Sequence, residues 1–167
     1  MDTGSESFQR PATVDTVEMV IDTVPEEARE WPVHCYHAAG GLVVHHGRVL
    51  LLRRGKEVRV PKGHLEPEET VAECALRETR EETGLVSPHI VAPLGTIENR
   101  FAHKGQQYVR YETWFLMETD DPTPHDPEPQ WTPVWHRLKE AEAALSFEAE
   151  RQAFRWARAA VVSSKPG

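Results

Sequence analysis

The sequence predicts a single α/β (α+β) domain on three observations. Residues 70–83 read as a capped helix, residues 36–117 carry several β-branched and aromatic runs broken by Gly and Pro, and the chain closes on an amphipathic stretch over residues 148–162. A length of 167 residues with 39% hydrophobic content suits one domain with a sizeable core.

In chain order, residues 1–12 are polar and are expected to be disordered. Residues 13–24 leave strand and helix open: their β-branched side chains favour a strand, while Val14, Val17, Val20, Ile21 and Val24 recur near helical spacing. Residues 25–30 read as a short helix with Pro25 in its first turn. Residues 1–33 are therefore taken as an extension, either a dimer element or a cover over the core, ahead of a domain spanning 34–164. Residues 36–44 and 48–52 predict two strands joined at His46-Gly47. A further strand ends at Pro61.

Residues 70–83 contain no Gly or Pro and are rich in Ala, Leu, Glu and Arg, and Gly84 stands where a left-handed C-cap would end the helix. Ala72, Ala75, Leu76, Thr79 and Thr83 share the face expected to meet the core. Residues 90–94 and 95–101 suggest further strands, 103–106 a hairpin turn, and 107–117 a long strand. On that strand Tyr108, Arg110, Glu112 and Trp114 lie on one face, and Val109, Tyr111, Thr113 and Phe115 on the other. Residues 118–130 form an acidic, Pro-rich loop, either disordered or a site loop. Residues 138–145 and 148–162 close the chain as helices, the second buried through Ala153, Phe154, Ala157, Ala160 and Val161.

Composition narrows the function. A net charge of −8 argues against an extended nucleic-acid surface, which recruits basic patches. It is no obstacle to a small polyphosphate accompanied by metal ions. Cys35 and Cys74 are too few and wrongly spaced for a disulfide framework or a zinc site, and Cys74 reads as a small buried thiol. The chain shows no signal peptide and no apolar run of membrane length, so a cytoplasmic protein without membrane contact is expected.

The chemistry concentrates on the helix. Glu78, Glu81 and Glu82 sit at i, i+3 and i+4, where like charges repel by a few tenths of a kcal/mol, roughly 0.2–0.5 per pair. A hard divalent cation, Mg²⁺ or Mn²⁺, removes that penalty by sharing carboxylate oxygens. The alternative is a solvated acidic helix face.

The surrounding spacing goes further. From Gly63 to Gly84 the chain reads Gly-x5-Glu69-x7-Arg77-Glu78-x2-Glu81-Glu82-x-Gly84. This pattern strongly resembles the signature of the Nudix hydrolases, with Thr79 in a slot the family fills with a bulky aliphatic. The resemblance implies a mixed β-sheet sandwiched between α-helices and Mg²⁺-assisted hydrolysis of a diphosphate linked to another moiety. It implies Glu81 and Glu82 as principal metal ligands, Glu78 as ligand or base, and the Lys62 carbonyl as a further ligand. Arg77 orients Glu78 or pairs with Glu69, and Gly63 and Gly84 shape the turns.

The Pro61-Lys62-Gly63-His64 run is similar to that of diadenosine polyphosphate hydrolases and diphosphoinositol polyphosphate phosphohydrolases, so Lys62 and His64 are candidate phosphate contacts. Arg53 and Arg54 stand either at the edge of the expected pocket or as solvated arginines, and Tyr111 is either a base-stacking aromatic or one of the strand's core aromatics; with these the candidate substrate residues are complete. Relatives place a further carboxylate, as metal ligand or general base, some seven residues before a tryptophan; with Trp135 as that tryptophan, the resemblance implies Glu128 as this catalytic carboxylate. Nucleoside polyphosphates such as diadenosine polyphosphates are the expected substrates, with diphosphoinositol phosphates or nucleoside triphosphates as alternatives, in a monomer or homodimer. A rival from another class is a non-catalytic nucleotide sensor, but such proteins usually lose one of the helix glutamates and this chain keeps them all.

Overall fold

A computed structural model of the protein describes residues 16–164, so the disorder expected for residues 1–12 lies outside the described residues. The strands, in chain order, are β1 (Met19–Asp22), β2 (Val33–His45), β3 (Arg48–Arg54), β4 (Glu57–Arg59), β5 (Lys62–His64), β6 (Pro88–His103), β7 (Gln106–Thr119) and β8 (Thr132–Arg137). The helices are α1 (Val71–Thr83), α2 (Leu138–Ala144) and α3 (Glu148–Ser164). One sheet runs in the order β1-β6-β7-β2-β3-β4, with β5 added to β2 and β8 to β3. It is mixed: β1 with β6 and β2 with β7 are parallel, and the remaining pairs are antiparallel.

Helices cover both faces, which explains the unbroken apolar run in β3. Val49 and Leu51 pack towards α3, in a core with Leu42, Ile97, Trp114 and Phe154. Leu50 points the other way, joining Ala39, Val43, Phe115 and Met117 against Cys74 and Ala75 of α1. A strand buried on both sides has no reason to alternate.

Three elements differ from the sequence expectation. Residues 90–94 and 95–101 belong to one long strand, β6, whose register slips between Ile90 and Ala92 and again between Pro93 and Gly95. Those irregularities surround the Pro and Gly that read as a break. Residues 132–137 form β8, which Pro133 concealed in the sequence; it is a strand because β3 offers it a complete antiparallel edge. The stretch left open at 13–24 becomes β1 over Met19–Asp22, since pairing with Ile97–Arg100 supplies what local periodicity did not decide.

Beyond β1, a single 3₁₀ turn (Glu26–Ala28) follows Pro25. Gln107 anchors the next segment through its side-chain amide, which donates to the carbonyls of Arg29 and Trp31. Within residues 16–33, β1 pairs with β6 and the Arg29 and Trp31 carbonyls are held by Gln107 of β7. Among the described residues no helix is long and apolar enough to cross a membrane.

Candidate active site

Helix α1 is fixed at both ends by local chemistry. The Thr70 hydroxyl accepts from the Glu73 amide while the Glu73 carboxylate accepts from the Thr70 amide, a reciprocal capping box. Gly84 closes the helix in the left-handed region at φ 76°. Cys74, Ala75, Thr79 and Thr83 are buried against the sheet. Thr79 stands close beneath Gly41, where a side chain on the glycine would strike its hydroxyl, so a small residue suits this crossing. The Cys74 thiol is fully buried beside the Gly63 carbonyl, and burial pushes its pKa up to about 12, as expected of an inert core thiol.

With that face buried, the acidic face of α1 meets β5 and the acidic loop. The Glu78 carboxylate occupies the space a Cβ on Gly63 would need. Glu82 accepts a hydrogen bond from the Lys62 amide at 2.9 Å. The loop after β7 is latched to the end of the helix: the His125 amide donates to the Gly84 carbonyl at 2.7 Å and the Glu128 amide to the Glu81 carbonyl at 3.3 Å. The latch brings Glu128 to Glu78 and Glu81, and one carboxylate oxygen from each lies within 4.8 Å of the others. Glu82 stands beside this trio rather than in it.

Arg77 organises the acids. Its Nε and Nη2 donate to the two oxygens of Glu69 at 2.7 and 3.0 Å, and its Nη1 reaches Glu78 at 2.8 Å and Glu81 at 3.3 Å. Nη2 also donates to the His64 carbonyl at 3.0 Å, tying the helix to β5. The guanidinium holds the Glu69 carboxyl down to about 2. Burial works the other way on the site acids: it pushes Glu78 above the usual carboxylate range and Glu82 up to about 8.

Glu78 and Glu82, which burial makes reluctant to ionise, are carboxylates that a cation would relieve. An all-oxygen donor set of Glu78, Glu81 and Glu128, with Glu82 alongside, fits a hard divalent ion such as Mg²⁺ or Mn²⁺.

On the α3 side of β5 lies a cleft of about 470 Å³, walled by Phe101, Phe147, Arg59, Arg110 and Asn99, and by Ile21 and Thr23 around β1. Lys62 belongs to both places, lining the cleft with its side chain while its amide holds Glu82. Each cleft cation already faces an acid: Arg59 meets Glu57 at 2.7 Å, Arg110 meets Glu112 at 2.6 Å and Lys62 meets Glu150 at 2.5 Å. His64 packs its ring on Tyr36, with centroids 4.5 Å apart.

The candidate base-stacking residue requires a correction. Tyr111 is buried with Val109 against Val17, Val33 and Cys35, on the face of β7 opposite Arg110, so it does not reach the cleft. Arg53 and Arg54 also lie outside the cleft lining: both are exposed, and Arg54 covers the Trp131 ring at 4.8 Å. The cleft lining holds Arg59 and Arg110 instead, with Phe101 and Phe147 as aromatic walls. Strand alternation put Arg110 on a face distinct from Tyr111, but nothing local told which face looks into a cleft.

Residues 36–157 match the NUDIX domain family along the larger part of the chain. This chain belongs to the NUDIX domain family. The NUDIX domain is 32% identical over 106 residues to a Mycobacterium tuberculosis protein carrying the name mutator protein MutT4; the match covers 60% of this chain and 41% of that relative's length. Its fold is shared with the Ap4A hydrolase of C. elegans, at a TM-score of 0.61 and 21% identity over 77% of this chain and 98% of that one. It is shared as well with a MutT protein from Methanosarcina mazei, at 0.60 and 21% over 81% and 99%.

Gly63 offers a sharp check on this NUDIX geometry. In Gly63→Ala the new methyl displaces the Glu78 carboxylate, and a misplacement of about 1 Å at a reacting site can cost roughly a hundredfold in rate. The expected result is a turnover loss of that order with thermal unfolding little changed. Wild-type turnover in a folded Gly63→Ala protein would show that Glu78 is not needed where it stands.

Proposed function

We propose that this chain is a divalent-cation-dependent pyrophosphohydrolase that cleaves a phosphoanhydride bond of a nucleoside polyphosphate, with diadenosine polyphosphates as the favoured class. The observation that carries the reading is the convergence of Glu78, Glu81 and Glu128 within 4.8 Å, one strand away from a cleft with aromatic walls.

Glu78, Glu81 and Glu128 would hold Mg²⁺ or Mn²⁺, which when bound would supply charge neutralisation for phosphate oxygens and a lowered pKa for water. The chain's own part is positional. Arg77 clamps Glu69 and steers Glu78, the loop latch delivers Glu128, and the Lys62 amide fixes Glu82. Phe101 and Phe147 offer apolar surface to a nucleobase, while Arg59 and Arg110 offer donors to phosphate or ribose oxygens. A cleft of about 470 Å³ lies within the roughly 300–1,000 Å³ usual for small-molecule sites.

Charge pairing favours nucleotides over diphosphoinositols. A densely phosphorylated ring calls for unneutralised cations, and here Arg59, Arg110 and Lys62 each face a carboxylate. Similarity to the Ap4A hydrolase fold supports the diadenosine reading. A nucleoside triphosphate is the second reading, favoured by the relative named as a mutator protein.

The test is Mg²⁺-dependent product release from diadenosine tetraphosphate, nucleoside triphosphates, nucleotide sugars and diphosphoinositols, resolved by chromatography. The expected order places diadenosine tetraphosphate first by kcat/KM and diphosphoinositols last. Negligible turnover of every compound would transfer the fold to a sensing role.

A further inference from the structure

We infer that Glu150, on α3, is a positioning residue for the carboxylate site, and that the Lys62 ammonium is committed to Glu150 rather than to phosphate. The inference rests on the metal-site reading of the helix carboxylates, and it concerns a residue outside the signature stretch altogether.

Glu150 is 1% exposed, an unusual place for a carboxylate unless its oxygens are occupied. Both are. One accepts from the Val60 amide at 2.7 Å, and the other meets the Lys62 ammonium at 2.5 Å. The chain between β4 and β5 is held on its remaining sides by the Gly41 amide, which donates to the Pro61 carbonyl at 3.2 Å, and by Glu82, which accepts from the Lys62 amide at 2.9 Å. Gly40 allows this close approach, because a Cβ there would run into the Pro61 carbonyl and the Lys62 side chain.

A continuous path therefore runs from α3 through Glu150 and residues 60–62 to Glu82 on α1. Removing the Glu150 charge frees Lys62 to turn away from α3, and the Lys62 amide then no longer meets Glu82 at a fixed angle. Two further bonds moor β4 to the start of α3 independently: the Val58 amide donates to the Ser146 hydroxyl at 2.9 Å, and the Ser146 amide to the Val58 carbonyl at 3.0 Å. Loss of Glu150 should therefore loosen the segment without unfolding the sheet.

A small set of variants separates positioning from phosphate binding. Glu150→Gln keeps an acceptor for the Val60 amide and removes the charge; Lys62→Met removes its partner. The double variant removes both, leaving no unpaired buried charge and guarding against a single variant that fails to fold. The readouts are hydrogen exchange of the Lys62 amide in metal-free protein by NMR, Mn²⁺ affinity by electron paramagnetic resonance, and the split of KM against kcat.

In Glu150→Gln the Lys62 amide is expected to exchange at least about tenfold faster, and Mn²⁺ affinity to fall roughly tenfold, the lower range for losing an outer support of a metal site. KM should stay within about twofold, and the double variant should be no worse than the poorer single variant, as expected of groups acting through one path. Unchanged Lys62 exchange and Mn²⁺ affinity in Glu150→Gln would overturn the inference. So would a Lys62→Met protein whose KM rises sharply while its Mn²⁺ affinity is intact, since that is the behaviour of a phosphate ligand. Absence of Mn²⁺ binding by the wild type would instead remove the metal-site reading, and the exchange measurement would still judge the role of Glu150.

Discussion

Glu82→Gln is expected to lose about a hundred- to thousandfold in turnover, the scale seen when one preorganised charge-stabilising group is deleted, while the metal-free protein gains stability at alkaline pH. The first comes from the lost charge and the second from burial. The fold holds Glu82 up to about 8 against an ordinary 4.5, because desolvation outweighs the hydrogen bond from the Lys62 amide. Below pH 4.5 the folded and unfolded chains both carry the proton and the stabilisation of the neutral buried acid is fully present. It is then lost as the pH rises through about 8, where the folded chain too must ionise.

Glutamine is neutral at every pH and keeps an oxygen for the Lys62 amide. In the presence of a chelator, the melting temperature of wild type should therefore fall relative to that of Glu82→Gln between pH 5 and pH 9. A gain of about 2 kcal/mol at the alkaline end corresponds to roughly 4–8 °C for a domain of this size. Parallel melting curves across the range, or undiminished Mg²⁺-dependent turnover, would remove Glu82 from the site.

The largest effect on stability is expected from Phe154→Ala. Phe154 is fully buried at the centre of the larger core, where α3 meets Leu42, Ile97 and Trp114 from the sheet. Deleting a buried aromatic ring forfeits its transfer free energy and leaves a cavity the surrounding strands cannot close, a cost of about 3–5 kcal/mol. At about 2–4 °C per kcal/mol, the melting temperature should drop by roughly 6–20 °C. Val162 is the control: it lies on the same helix at 66% exposure, and Val162→Ala should stay within about 0.5 kcal/mol of wild type. Denaturant titration of the three proteins decides it, and a Phe154→Ala protein as stable as the control would mean that α3 contributes little to the core.

The parts of the fold legible in the sequence are those whose causes are local. Thr70, Glu73 and Gly84 cap α1 by bonds spanning a few residues, and the helix stands where the spacing predicts. The 103–106 turn is equally local, with Lys104 and Gly105 both at positive φ. Strand β8 and strand β1 were hidden because each owes its conformation to an edge supplied by a distant strand, β3 in one case and β6 in the other.

The same division runs through the site. Period and spacing alone gather Glu78, Glu81 and Glu82 on one helical face, since that follows from 3.6 residues per turn. They do not tell which face of β7 looks into the cleft: Arg110 lines it, and Tyr111 is buried on the opposite face. Nor do they tell where a lysine charge will go. Lys62 finds its carboxylate 88 residues along the chain, in a buried pair created only when α3 docks on the sheet. Helix ends, helix faces and the acidic signature are settled by neighbours within a turn or two, so the amino-acid order determines them unaided. The cleft walls and the pairing of its cations depend on burial and long-range approach, which exist only once the sheet and its helices have closed on one another.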